Sequence, residues 1–435
     1  MRNTLTACSA LAMLFYMSAS NATEQNVPPV ISPTTHTNHQ RYLGLAEAIQ
    51  KAMANSPRIK AAEAVLSASR GAERQAGAWA NPEVGVEVEN LAGSGPYKGT
   101  KSAEFTYNLS QKVELGKRPA RRRVAGAERE TASIAVLAEK LDIARDVKIA
   151  YADVLAAERT LQLAEQQEKL AEDVLANVAK RVGAARDPLI YKSQAEVSLA
   201  TARMARAQVM RDVQLTRKKL AALWGGEPLA QGLDESVLNS VEQPAPFETY
   251  KARLAENPDL TRFISMKLAK AAAIKLEKVQ NIPDPSVNVG FRTFRESNEQ
   301  AMVVGVSMPI PVLDQNQGNI AKARAELNQV ENEGLTAGLD AEQALQEAWQ
   351  EWELAYTEAK QLHDSIIPTA EKAFTLSREG YERGRFSYLE ILNAQRTLYE
   401  ARGQYNQSLQ RQATAKAQVQ RLTAEPVTIL KGEIQ

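Results

Sequence analysis

Glu390 and Asn393 lie three residues apart, a spacing that puts a carboxylate and a carboxamide on one face of a helix. His36 and His39 share that spacing, but two imidazoles without further ligands make a poor metal site. Lys117, Arg118, Arg121, Arg122 and Arg123 form the only dense basic run. It opens a helical stretch, where the dipole disfavours cations. It therefore suits either phosphates at a membrane's inner surface or a plain solvated face. No nucleophile elbow, phosphate loop or zinc signature accompanies these groups. The chemistry on offer is electrostatic, and no catalytic residue, cofactor or bound metal is expected.

Composition narrows the partners. Lys and Arg number 53 against 52 Asp and Glu, a net charge of +1, so nothing is in excess to neutralise nucleic-acid phosphates. A single cysteine, Cys8, excludes a disulfide scaffold and a thiolate metal centre. Leu5-Thr6-Ala7-Cys8 spells a lipid-acceptor box, although almost no apolar run precedes it. Residues 1–22 read as a secretory signal: a weakly basic start, an apolar stretch from Leu5 to Met17, and Ser20 and Ala22 as a small-residue cleavage pattern. Residues 23–41, rich in Pro, Thr, Asn and Ser, read as a flexible lead-in.

The remainder is written twice, which decides the fold class. Repeat 1 covers 42–224, a connection covers 225–246, repeat 2 covers 247–424, and a tail closes the chain at 425–435. Asn55-Ser56-Pro57 and Glu256-Asn257-Pro258 each open a helix with proline just inside its start. Asn81-Pro82 and Asp284-Pro285 end those helices, and strict alternation follows. Val84, Val86 and Val88, then Phe105, Tyr107 and Leu109, form one face of a hairpin at about 83–115. Val287, Val289 and Phe291, then Met302, Val304, Val306, Met308 and Ile310, do the same at about 286–312. The opposite face carries small and polar residues: Thr106, Asn108, Ser110, Ser286, Asn288 and Gly290.

A very long helix follows each hairpin, from about Lys117 to Arg181 and from about Gln317 to Arg383, the second kinked at Pro368. Ile134, Leu137, Leu141, Ala144, Tyr151 and Leu155 make one coiled-coil stripe; Leu345, Trp352, Ala359, Leu362 and Ile366 make the other. Tyr151, Trp349, Trp352 and Tyr356 are expected to pack. Glycine turns, at Gly183 and Gly384, lead into shorter return helices. Four strands cannot close a barrel, and open edges are forbidden in lipid. Either several chains close one barrel, or the protein is a soluble periplasmic coiled-coil scaffold. Two copies would give about eight strands and a filled bore; three would give about twelve and a lumen.

In layout the chain resembles the TolC-like outer membrane efflux family over nearly its whole length. Ser110-Gln111-Lys112-Val113-Glu114-Leu115-Gly116-Lys117-Arg118 is similar to the corresponding segment of the CzcC-like, heavy-metal efflux subgroup. Tyr381-Glu382-Arg383-Gly384-Arg385-Phe386-Ser387-Tyr388 and the Leu389 to Gln395 segment resemble the family's tip turn and return helix. The resemblance implies a mainly α fold with a small β part. Four membrane strands per chain complete a trimeric β-barrel, continued by a long periplasmic α-helical barrel. It also implies a homotrimer in the outer membrane, its lipid around the strands, with a membrane-fusion adaptor and an inner-membrane proton-driven (RND-type) pump as partners.

Residue roles follow from the same resemblance. Glu390 and Asn393 match positions where acidic residues ring the periplasmic end, and Asn393 thins that ring, leaving more of the gate to Tyr388 or to packing. Val182, Gly183, Arg186, Gly384, Arg385 and Phe386 form the tip surface on which an adaptor docks. The expected function is passive conduction of heavy-metal cations. Its same-fold rival exports drugs, other organic molecules or polypeptides.

Overall fold

The computed structural model describes residues 42–226 and 231–425. The expected signal, the lead-in with His36 and His39, and the tail beyond Glu425 lie outside them. Helix α1 (Leu45–Asn55) precedes α2 (Pro57–Ala76), which starts on its proline. After the first hairpin, α3 (Lys117–Gly183) runs unbroken for 67 residues, about 100 Å. Helix α4 (Leu189–Ala222) returns beside it. Short helices α5 (Ser236–Asn239) and α6 (Phe247–Lys251) lead to α7 (Pro258–Gln280), whose Asn257 cap accepts a hydrogen bond from the Asp259 amide at 2.9 Å. The second long stretch is α8 (Gln317–Gln361) and α9 (Ile367–Glu382), and α10 (Tyr388–Leu422) returns.

The expected kink is a π-helical turn, Leu362–Ile366, placed just before Pro368. Proline has no N–H to donate and its ring presses on the carbonyl four residues back. Widening the preceding turn relieves both problems. Two stripe positions also differ from expectation: Leu137 and Ile366 are exposed, whereas the remaining buried members face neighbouring helices.

Helix α3 is the axis of packing, touching α2, α4, α7 and α10. Around its middle, Ile143, Val147, Tyr151 and Leu155 form a core with Leu220, Trp224, Leu238 and Leu409. The Tyr151 hydroxyl donates to the Leu43 carbonyl at 2.7 Å and accepts from the Asp234 amide at 2.8 Å. The connection is pinned to repeat 2 as well, because Trp349 and Trp352 donate to the carbonyls of Ala245 and Glu242. Both tryptophans pack, as expected.

Strands β1 (Glu83–Glu89), β2 (Glu104–Lys112), β3 (Ser286–Phe294) and β4 (Glu299–Ser307) form one antiparallel sheet in that order. Pairing of β2 with β3 joins the two repeats, while β1 and β4 are left as open edges. Strand β4 ends at Ser307, earlier than the alternation to Ile310 implies. Pro309 and Pro311 cannot donate to a ladder, so Met308 and Ile310 lie beyond it, exposed. Gly290 is required by contact: a Cβ there would sit 2.4 Å from the Tyr107 carbonyl oxygen.

A buried carboxylate joins sheet to helices. Asp284, ahead of β3, accepts from the Leu115 amide at 3.1 Å and from Lys117 Nζ at 2.9 Å, with Lys112 at 3.4 Å. Burial opposes its charge, but the bonds from Lys117 and the Leu115 amide win and hold its pKa below the usual carboxylate range. Gly116, at φ +81°, makes the turn that lets α3 start there.

Candidate functional site

Register sorts the sheet into two unlike faces. Val84, Leu109, Val289 and Val304 stand in one row across all four strands, and Val86, Tyr107, Phe291 and Met302 in another. Every one of these eight side chains is exposed. Between the rows, Asn108, Gly290 and Val303 point the other way, with Thr106 and Arg292 on the same side. A water-soluble sheet would bury the apolar face and wet the polar one. Here the arrangement is inverted, as in a wall with hydrocarbon outside and water within. Among the described residues no helix is long and apolar enough to cross a membrane.

Below the sheet, the basic run divides. Lys117 is bound to Asp284, and Arg121 makes a two-point bridge to Glu114 at 2.6 and 2.9 Å. Arg118 donates to the Gly77 carbonyl at 2.5 Å and lies 4.3 Å from the ring centre of Trp79, which is itself exposed. Three of the five cations are therefore structural. Arg122 and Arg123 are exposed and make no hydrogen bond or ion pair among the described residues.

At the far ends of the long helices the tips come together. Val178, Ala195, Tyr381, Tyr388 and Ile391 form a buried cluster, with Val182, Tyr191 and Phe374 against it. Tyr388 is 0% exposed and packs against the Tyr191 and Tyr381 rings, so it does not line an opening. An aromatic ring one position inside a helix start turns inward when the facing helices supply apolar cover. Val182 is likewise half-buried in this cluster rather than part of the exposed surface.

The tips are also tied by charge. Arg181 holds Asp187 by two contacts, 2.8 and 3.1 Å, and the Tyr381 hydroxyl donates to the same carboxylate at 2.7 Å. Arg181 further donates to the Tyr381 carbonyl at 3.2 Å and sits 4.5 Å from its ring centre. This Arg181–Asp187–Tyr381 latch crosses from the first helical pair to the second. The Arg181 bond holds Asp187 below the usual carboxylate range, against burial; burial first, then Asp187, pushes Tyr381 up.

Glu390 is exposed, but one oxygen is committed: it accepts from the Ser387 amide at 2.8 Å in a capping box. Asn393 is exposed in a groove of about 600 Å³ lined by Ala171, Thr201, Ala205, Leu389 and Arg396. Arg186 and Arg385 are exposed, and Phe386 is half-exposed with its ring folded over Gly380. Leu189, Ile190 and Leu389 add exposed apolar surface beside the turns.

Residues 48–226 and 249–425 match the family of outer membrane efflux proteins. The chain belongs to that family. It is a CzcC-like member: it is 29% identical to the cobalt-zinc-cadmium resistance protein CzcC of Cupriavidus metallidurans over 83% of this chain and 85% of that one. It is 24% identical to the cation efflux system protein CusC of Escherichia coli K12 over 55% and 56%. Among solved structures, a membrane protein from Pseudomonas aeruginosa superposes with a TM-score of 0.76 at 17% identity, over 87% of this chain and 92% of that one. CusC superposes at 0.73 with 20% identity, over 87% and 91%.

Against this efflux-family frame, the tip turns hold one surprise. Gly384 takes the left-handed conformation, φ +73°, but in the first tip that role falls to Ala185, φ +53°, two residues beyond Gly183. Gly183 instead ends α3, with nothing near its missing side chain. Ala185→Gly is expected to raise the thermal midpoint of the detergent-solubilised protein, by about 1 kcal/mol of relieved strain. Gly183→Ala should not lower it. The latch was not legible at all, since Tyr381 and Asp187 are 194 residues apart and no local spacing marks them.

Proposed function

We propose that the protein is the outer membrane channel of a tripartite efflux assembly, a homotrimer that passively conducts heavy-metal cations out of the cell. The observation that carries this reading is a sheet with an exposed apolar face and two open edges. A lone sheet of that kind cannot stand in lipid, because edge amides and carbonyls would have no partners there. Pairing β1 of one chain with β4 of the next removes every edge, and three copies give about twelve strands around a water-filled lumen. The exposed Trp79, with Arg118 upon it, and the exposed Arg122 and Arg123 of the same helix as Arg118 suit the inner headgroup layer, where indole and cationic side chains both gain.

The helices then extend into the periplasm, and the latched tips form the closed end. Arg186, Arg385 and the half-exposed Phe386 present a surface for an adaptor, with an inner-membrane pump behind it. Asn393 and Glu390 stand on exposed helix surface near that end, where they can face passing cations. Metal cargo is supported by the likeness to CzcC, a cobalt-zinc-cadmium resistance protein, and to CusC, a cation efflux system protein. Deleting the gene should lower tolerance to one or more of zinc, cobalt, cadmium, nickel, copper and silver salts. Unchanged tolerance to all six rejects the metal reading, and recovery of the protein in osmotic-shock fluid without detergent rejects the channel.

A further inference from the structure

The polar face of the sheet is more acidic than small-and-polar alternation suggests. Register puts Glu83, Glu87 and Glu89 of β1, Glu104 of β2 and Glu299 of β4 on it. Two cations share this face. Lys112, at the helix end of β2, leans toward Asp284. Arg292 stands near the other end, among the carboxylates. Its Nη2 is 2.7 Å from Glu89 and its Nη1 3.1 Å from Glu104, while Nε donates to Thr106 Oγ1 at 3.0 Å. Glu83, Glu87 and Glu299 have no cationic partner among the described residues.

We propose that Arg292 sets the ion preference of the strand-lined section of the channel. The inference rests on the channel reading above, which makes the polar face the lumen wall. Strand β3 starts beside the helices at Ser286 and ends at Phe294 in the far hairpin, so Arg292 lies toward the outer mouth. By pairing with Glu89 and Glu104 its single positive charge offsets one of their two negative charges, and Glu83, Glu87 and Glu299 remain to favour cations. Symmetry would repeat this pattern around the bore. A carboxylate freed about 8 Å from an ion in water changes that ion's local concentration roughly twofold, less at high salt. The effect is graded, so the mouth passes cations without binding them tightly.

Arg292 also ties β1, β2 and β3 together, so the test must separate charge from clamping. The purified full-length protein is placed in planar bilayers, and reversal potentials are read in a KCl gradient. Arg292→Met should raise the potassium-to-chloride permeability ratio severalfold, and Glu87→Gln should lower it. Arg292→Met combined with Glu104→Gln restores the wall's net charge and should bring the ratio back toward the wild-type value. An unchanged ratio in Arg292→Met, with normal conductance, overturns the proposal. So does a shift that Glu104→Gln fails to reverse, which would mark Arg292 as a strand clamp only. A wild-type protein that passes no current overturns the channel reading, and this inference with it.

Discussion

Arginine in place of Val289 should empty the outer membrane fraction of this protein and abolish whatever metal tolerance it confers. Val289 lies near the middle of β3, in the apolar row with Leu109 and Val304. A guanidinium on the lipid side of a barrel at mid-depth costs about 2–4 kcal/mol per chain. That moves an insertion equilibrium roughly 30- to 1,000-fold, and a symmetric assembly meets the penalty in every copy. Asn288→Arg, one residue away on the polar face, should insert normally and only narrow the conduit. Density-separated membranes probed for the protein read the first effect, and single-channel conductance reads the second. Equal recovery of the two variants in the outer membrane would remove the basis for calling the apolar face lipid-exposed.

Asp187→Ala is expected to open the periplasmic end. The substitution removes the carboxylate that Arg181 and the Tyr381 hydroxyl share, and with it the polar link between the two helical pairs. Hydrogen bonds to a charged partner contribute about 1.5–3 kcal/mol each, so the open-to-closed ratio should rise on the order of tenfold or more. Asp187→Asn retains one acceptor and should fall between. In planar bilayers the alanine variant should show larger or more frequent openings; wild-type gating would dismiss the latch as decoration. Acidity should act in the same direction. The depressed Asp187 pKa means that the latch's contribution is fully present above about pH 4 and is lost as pH falls through the native value. The raised Tyr381 pKa works oppositely: its contribution holds below about pH 10 and fades in stronger alkali. Closure should therefore be flat across the physiological range.

Much of this fold could be read from local pattern, and the parts that could not share a cause. Period-two alternation located the strand residues because one face of each strand is uniformly apolar. Proline at Pro57 and Pro258 marked two helix starts through a missing N–H, a purely local effect. Misreadings arose where a side chain answers to a distant neighbour. Tyr388 turns inward because α3 and α4 offer Val178 and Ala195, and Lys117 is drawn off the surface by Asp284, 167 residues away. Gly183 drew attention from Ala185 because residue type is visible in a sequence and φ is not. Glu390 shows a subtler case: position on a helix face was right, but the demand of the helix's own first turn came first.

The π-helical turn at Leu362–Ile366 makes the two repeats mechanically unequal. Helix α3 is a single strut, whereas its counterpart is two rods joined where a wider π turn interrupts the α-helical bonding pattern and Pro368 contributes no N–H. Bending strain applied at the tips should therefore collect in the jointed arm and leave the strut straight. Spin labels placed on either side of the joint would report an angular spread there that matching labels along α3 lack.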